Sequence, residues 1–398
     1  MNTSDLISRH QAAITLNYGK LPVALIKGQG SRVTDADGKT YIDLFAGFGG
    51  TILGHCHPDL VKAIEDQARA IWATGNQFYT EPQIRLAEHL TQKAFGSVPE
   101  GARAFFCHSG AEANEAAIKL ARLSAGEGRF KIISMLKGFH GRTMGALSAT
   151  PTPEYQKGFT PLTPGFGHVP YNDLAALEAA IDKETAGIIL EPIQGEGGMN
   201  VPTPGYLAGV RALADKHNVC LIFDEVWTGC ARTGKYFGHQ YEAGVTPDII
   251  TLGKALGGGI PVGAMIARTD RAQLLKPGTH GCTLGGNPIC AAVAAKVFDV
   301  IDRDNLCAHA TQLGDKAVAQ IKSFKNAGKI KAVRGRGLFL GIELNVADGS
   351  PALNAALPKG VFFNVTQKNV IRICPAVTID ETTLREGLAL VDDALAAL

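Results

Sequence analysis

The sequence predicts an α/β protein, with a large domain on a mostly parallel sheet and a smaller α+β domain after it. Between residues 100 and 270, short runs that are apolar throughout alternate with amphipathic stretches. Strands apolar on both faces and separated by helices belong to parallel sheets covered on both sides. After Pro288 that alternation gives way to one long helical stretch, then short strands and a closing helix. The chain has 398 residues, 45% of them hydrophobic, which is enough apolar surface for two domains. We expect residues 1–50 to contribute to the small domain, 51–290 to form the large domain and 291–398 to complete the small one.

Taken in order, VTDADGKTYIDL in the first forty-odd residues reads as a hairpin turning at Asp37-Gly38. ARAFFCH (102–108) is a buried strand, and AEANEAAIKLARLSAG (111–126) is an alanine-rich helix stopped by glycine. KIISML (131–136), AGIILEPI (186–193), VCLIFDEV (219–226) and DIITLG (248–253) are further strands, with the helix YLAGVRALADKHN (206–218) among them. Beyond Pro288 come the helix around AAVAAKVFDVI, strands near IKAVRG, LFLGIEL and VIRICP, and the helix DETTLREGLALVDDALAAL.

Composition removes several function classes. A net charge of +2 without any basic run offers nothing for nucleic acid or an anionic membrane. The start, MNTSDLISRHQ, has no apolar core of an export signal, and no apolar run approaches membrane-spanning length. Eight scattered cysteines without a Cys-x-x-Cys pair suit reduced thiols, so we expect a cytoplasmic enzyme. His55-Cys56-His57 lacks partners at finger-like spacing, so no metal is expected. No G-x-G-x-x-G follows the first strand, and Lys254 is not in a Walker A loop, which argues against a nicotinamide enzyme or an NTPase.

Three features fall where ligands gather in parallel sheets, beyond the carboxyl ends of strands. Ser109-Gly110-Ala111 lies between the first strand and its helix, where small residues and free N–H groups suit a phosphate as well as a plain helix cap. Asp224 ends an apolar strand, where a carboxylate is costly without a cationic partner. Lys254 is the lone charge in ITLGKALGGGIPVGAM (250–265), which taken alone suits a solvated loop cation as well as an amine made nucleophilic by desolvation. Anchor, buried acid and nucleophilic amine together describe a cradle for pyridoxal 5'-phosphate.

The order of SGAEANEAAIKLAR, GFHGRT, EPIQGEGG, DEVWTG, ARTG, TLGKALGGGIPVGA and HGCTLGGNP resembles the class III aminotransferases of the fold type I pyridoxal phosphate group. The likeness runs from NYGKLPVAL through VIRICPAVTID. Within that family the acetylornithine enzymes are most similar and the ornithine enzymes next. The resemblance implies a seven-stranded type of sheet and a homodimer with shared active sites. It also implies transfer of a terminal amino group to 2-oxoglutarate. Acetylornithine is the leading donor; ornithine, succinylornithine, succinyldiaminopimelate and 4-aminobutyrate stay open, and a racemase or aminomutase is the distant alternative.

On this sequence the resemblance implies that Lys254 carries the cofactor and that Asp224 pairs with the pyridine nitrogen. Ser109, Gly110 and Ala111 would take the phosphate, Phe139 would stack on the ring, and Val226 and Trp227 would line the cofactor. Thr283 would reach the phosphate of the neighbouring subunit. Arg142 and Arg372 would bind substrate carboxylates, with Glu196 as the removable counter-ion of Arg372. Trp227 stands where the family usually has glutamine, and Cys282, expected beside the substrate, where it commonly has serine. Tyr18 is similar to a substrate-binding tyrosine of the ornithine enzymes, whereas Phe48 takes the place of their second one.

Overall fold

The computed structural model describes residues 1–96, 98 and 101–398. Its central sheet has seven strands, in the spatial order Ala102–Cys107, Gly263–Arg268, Ile249–Leu252, Cys220–Asp224, Thr185–Leu190, Lys131–Met135 and Phe166–Val169. Gly263–Arg268 runs antiparallel to both its neighbours, and the five strands beyond it pair in parallel.

Alternate side chains of the inner strands enter two different apolar clusters. Cys220 and Ile222 pack with Ala116, Ala117 and Leu120 of the helix Gly110–Ala125. Leu221 and Phe223 pack with Leu207 and Val210 of the helix Tyr206–Lys216 on the other face. Both faces are thus dry, which is why these strands read as unbroken apolar runs. Truncating Phe223, which is fully buried, to alanine would cost about 3–5 kcal/mol.

The helix Gly110–Ala125 owes its start to a reciprocal cap: Glu112 N donates to Ser109 Oγ at 3.2 Å, and Ser109 Oγ donates to Glu112 Oε2 at 3.1 Å. Its alanines lose little entropy on ordering and let the helix lie close on the sheet. It ends at Gly126, whose φ of +82° suits glycine.

Two strands of the central sheet lie where the sequence pattern gave no expectation. Phe166–Val169 (FGHV) is a short edge strand holding a glycine and a histidine. Gly263–Arg268 continues directly from a glycine-rich segment that masks its strand character. Around this layer, the hairpin Arg32–Asp35 and Thr40–Asp43 pairs Thr34 with Thr40 across the Asp37-Gly38 turn. Ile42 then pairs in parallel with Val361, joining the N-terminal sheet to the late part of the chain. A second four-stranded sheet runs Ile330–Arg336, Phe339–Leu344, Val370–Ile373, Asn364–Thr366. The helix Pro288–Arg303 starts on an Asn287 cap with proline at its first position. Through Phe298 and its neighbours it belongs to an apolar cluster that also takes in Ile42, Leu388 and Leu395.

All of this sets one edge. The residues that follow Cys107, Met135, Leu190 and Leu252, together with Asp224 itself, emerge at the carboxyl ends of the strands that carry them.

Candidate active site

At that edge lies a cavity of about 510 Å³, and Lys254 and Asp224 both line it. Ser109, Gly110, Ala111, Phe139 and Arg142 line it too, as do Val226 and Trp227. Residues separated by nearly 150 positions are thus brought together as the spacing of strand ends predicts.

Lys254 follows the strand Ile249–Leu252 and opens a short 3-10 turn, Lys254–Gly257. Its φ is +41°, a left-handed conformation that a non-glycine residue adopts only under constraint. Burial pulls the pKa of its amine down, while the negative charges of Glu196, Asp224 and Glu191 oppose the shift. The Nζ lies 3.9 Å from the centroid of the Trp227 ring.

Asp224 is 3% exposed and held by a network. Asn114 Nδ2 donates to its Oδ2 at 2.8 Å, His140 Nδ1 lies 2.8 Å from the same oxygen, and Val226 N donates to Oδ1 at 3.0 Å. Asn114 is fixed in turn, because Thr251 Oγ1 donates to its Oδ1 at 2.6 Å. The neighbouring acid points elsewhere: Glu225 accepts from Gly238 N and His239 N and lies 2.8 Å from His239 Nδ1, a structural anchor. Two adjacent acids at a strand end have opposite duties because successive side chains alternate.

Glu191 was not singled out in the sequence, although it follows the strand Thr185–Leu190 much as Asp224 closes its own. It lines the cavity, accepting from Phe139 N and Gly195 N, each at 2.9 Å. Burial, reinforced by the charge of Asp224, pushes its pKa up to about 7. It ties the Phe139 loop to the loop that carries Glu196. Asn114 and His140 were also missed; neither type stands out inside a helix or a glycine-rich loop.

The cradle is tight. A Cβ on Gly110 would lie 2.6 Å from the Val226 methyls, and one on Gly253 would lie 2.8 Å from Gly110 N. Backbone therefore approaches the helix N-terminus where a phosphate would need bare N–H groups. A buried acid held by an amide and an imidazole, a desolvated lysine and this cradle fit pyridoxal 5'-phosphate.

A second charged site stands behind Trp227. Arg372, 2% exposed, donates from Nε to Asn364 Oδ1 at 2.8 Å and from Nη1 to Glu196 Oε2. Its guanidinium carbon lies 4.6 Å from the Trp227 ring centroid, so the indole touches Lys254 and Arg372 alike. Room for the indole comes from Gly49 and Gly195, whose added Cβ atoms would lie 2.6 and 2.4 Å from it. Arg142 stacks 3.6 Å above the Tyr155 ring, and among the described residues no carboxylate pairs with it.

The remaining expectations fall outside this cavity. Thr283 and Cys282 line a second cavity with Asn76, Gln83 and Phe105. Cys282 instead faces His108, with Sγ 3.4 Å from Nδ1. Tyr18 is 71% exposed on the N-terminal segment and is not brought to Lys254. No helix among the described residues is long and apolar enough to cross a membrane.

The family description Aminotransferase class-III matches residues 13–395. The chain is 43% identical over 386 residues to the acetylornithine aminotransferase of Caldanaerobacter subterraneus, covering 96% of each. It is 45% identical over 382 residues to that of Mycobacterium bovis, covering 96% of this chain and 94% of the relative. A Toxoplasma gondii ornithine aminotransferase structure, described with partial occupancy of PLP at its active site, superposes with a TM-score of 0.93 at 34% identity, covering 99% of this chain and 94% of the other.

Proposed function

Because the chain belongs to the class III aminotransferases, which work with pyridoxal 5'-phosphate on small molecules, we propose that it moves the terminal amino group of N2-acetyl-L-ornithine to 2-oxoglutarate. The products are the semialdehyde and L-glutamate, a step of arginine biosynthesis. When bound, the cofactor supplies an electrophilic carbonyl carbon and a sink for electrons. The chain supplies the rest. Lys254 would hold the cofactor, and its desolvated amine is placed to move a proton at the reacting carbon. Asp224 would pair with the ring nitrogen, and Ser109, Gly110 and Ala111 would hold the phosphate. Phe139 would cover the ring, and Val226 and Trp227 would line the cofactor. Arg142, backed by Tyr155, takes a distal carboxylate.

The observation that carries this reading is the Glu196–Arg372 ion pair behind Trp227. While paired, Arg372 is neutralised, and an amine donor enters with its α-carboxylate at Arg142. Glutamate and 2-oxoglutarate displace Glu196 and bind a carboxylate at each arginine. One pocket thereby accepts two unlike substrates.

The same reading makes the protein a homodimer in the cytoplasm. Thr283 would serve the partner's phosphate, and the eight unpaired cysteines suit a reducing compartment. The N-terminal segment 1–50 would then belong with residues 291–398 in the small domain, a grouping the Ile42–Val361 pairing favours. The test is a panel of amine donors assayed with 2-oxoglutarate. Acetylornithine should give the highest kcat/KM; a higher value for ornithine or 4-aminobutyrate would reassign the donor.

A further inference from the structure

At the rim of the Lys254 cavity, which His108 also lines, His108, Glu112 and Cys282 converge, with ligand-type atoms all within 4.8 Å of one another. We propose that these three residues form a binding site for a single zinc-class divalent cation at the junction of the 108–112 turn and the 279–287 loop. The donor set is imidazole nitrogen, carboxylate oxygen and thiolate sulfur, the combination that borderline-soft zinc prefers over harder ions.

The spacing supports this. Cys282 Sγ lies 3.4 Å from His108 Nδ1, and His108 Nδ1 lies 3.2 Å from Glu112 Oε1. With zinc–sulfur bonds of about 2.3 Å and zinc–nitrogen or zinc–oxygen bonds of about 2.0–2.2 Å, the edges of a tetrahedron come to about 3.4–3.6 Å. Those two edges are already near their ideal lengths. Cys282 Sγ also lies 3.8 Å from His108 Nε2, so the neutral imidazole can serve the carboxylate through one nitrogen and the thiol through the other. A cation would take the place of these contacts once the ring turns a lone pair towards it: it accepts a lone pair from each group, and the Cys282 thiol releases its proton to solvent as the metal–sulfur bond forms.

The second carboxylate oxygen stays available. Glu112 Oε2 already accepts from His108 N and Ser109 Oγ, so the helix cap survives while Oε1 binds the ion. Three protein ligands leave the fourth position to water. The site clasps the turn leading into Ser109 and Gly110 to the loop carrying Thr283, two segments we assign to phosphate binding. His108 and Cys282 stand 174 positions apart, so no ligand spacing in the sequence announces them.

The test uses the holoenzyme, freed of metal by dialysis against a chelator and titrated with Co2+ as a probe. We expect one Co2+ per chain, with the intense long-wavelength bands of a tetrahedral ion, displaced by Zn2+. Cys282→Ser, His108→Gln and Glu112→Gln should each weaken uptake at least tenfold, whereas Cys56→Ser, at an exposed thiol, should not. Should those variants fold poorly, X-ray absorption on zinc-loaded wild type decides: one sulfur at about 2.3 Å with nitrogen and oxygen neighbours is expected. No stoichiometric uptake, a sulfur-free octahedral ion, or undiminished uptake by folded Cys282→Ser would each overturn the proposal.

Discussion

Lys254 combines a left-handed backbone with a desolvated amine, two costs that neighbouring residues must hold in place. The sign of the second is testable. In the unfolded chain the amine titrates near 10.5, and in the fold it titrates lower. Between those values the unfolded chain binds more protons, so stability of the cofactor-free protein rises with pH through that window. Lys254→Ala should lack that slope, which urea midpoints at two alkaline pH values would measure. The same variant should keep its fold yet lose the visible absorbance of the bound cofactor and essentially all turnover. Asp224→Asn should bind cofactor but slow the reaction at least about tenfold, or 1.4 kcal/mol of barrier; single-turnover rates check this, and a smaller loss would remove Asp224 from its assigned role. Asp224 and Lys254 were legible because each is a charge where the surrounding residues are apolar. Glu191 carries the same signature and was passed over, since the motif around it drew attention to Glu196. Tyr155 lies in the short helix Pro153–Gln156, in a polar stretch where an aromatic looks incidental, and only the folded contact with Arg142 gives it a purpose.

The loop 194–200 and the strand Val370–Ile373 meet only through the fold. Glu196 is anchored there by its backbone, whose carbonyl accepts from Thr366 Oγ1 and Gln367 Nε2, each at 3.0 Å. Its side chain can therefore swing without moving the loop. Glu196→Ala should leave the glutamate half-reaction intact or faster and slow the amine half-reaction by about tenfold. Ornithine-type donors should also begin to react through their α-amino group. Stopped-flow absorbance with each substrate separates the two halves, and equal damage to both would make Glu196 structural. At this scale the sequence revealed the strands buried on both faces. The two it hid, Phe166–Val169 and Gly263–Arg268, are an edge strand and a glycine-led one, where neither apolar continuity nor alternation survives.

For the molecule as a whole, the proposed dimer would divide the labour of the two cavities between subunits. If Thr283 serves the partner's phosphate, Lys254→Ala and Thr283→Asp chains are each inactive alone but complement each other. A mixed dimer then holds one site with Lys254 and Thr283 both intact. Equal mixing should restore about a quarter of wild-type activity, because half the two-fold dimers are mixed and each has one working site. Activity measured after joint refolding checks this; no recovery would place Thr283 in its own subunit's site. The α/β layer was readable because its period is local. The second cavity was not, because it gathers Asn76, Phe105 and Cys282 from distant segments.

The strand Ala102–Cys107 lies at the edge of the central sheet and, among the described residues, pairs there only with Gly263–Arg268. On the ribosome, the chain that will cradle the cofactor is therefore made early and left without its sheet partner until some 160 further residues have been added. The five parallel strands can assemble first, whereas the strand that leads into Ser109 and Gly110 gains its sheet neighbour when Gly263–Arg268 arrives. A nascent chain halted before residue 263 should thus have no competent phosphate cradle, and cofactor capture becomes a late event of synthesis.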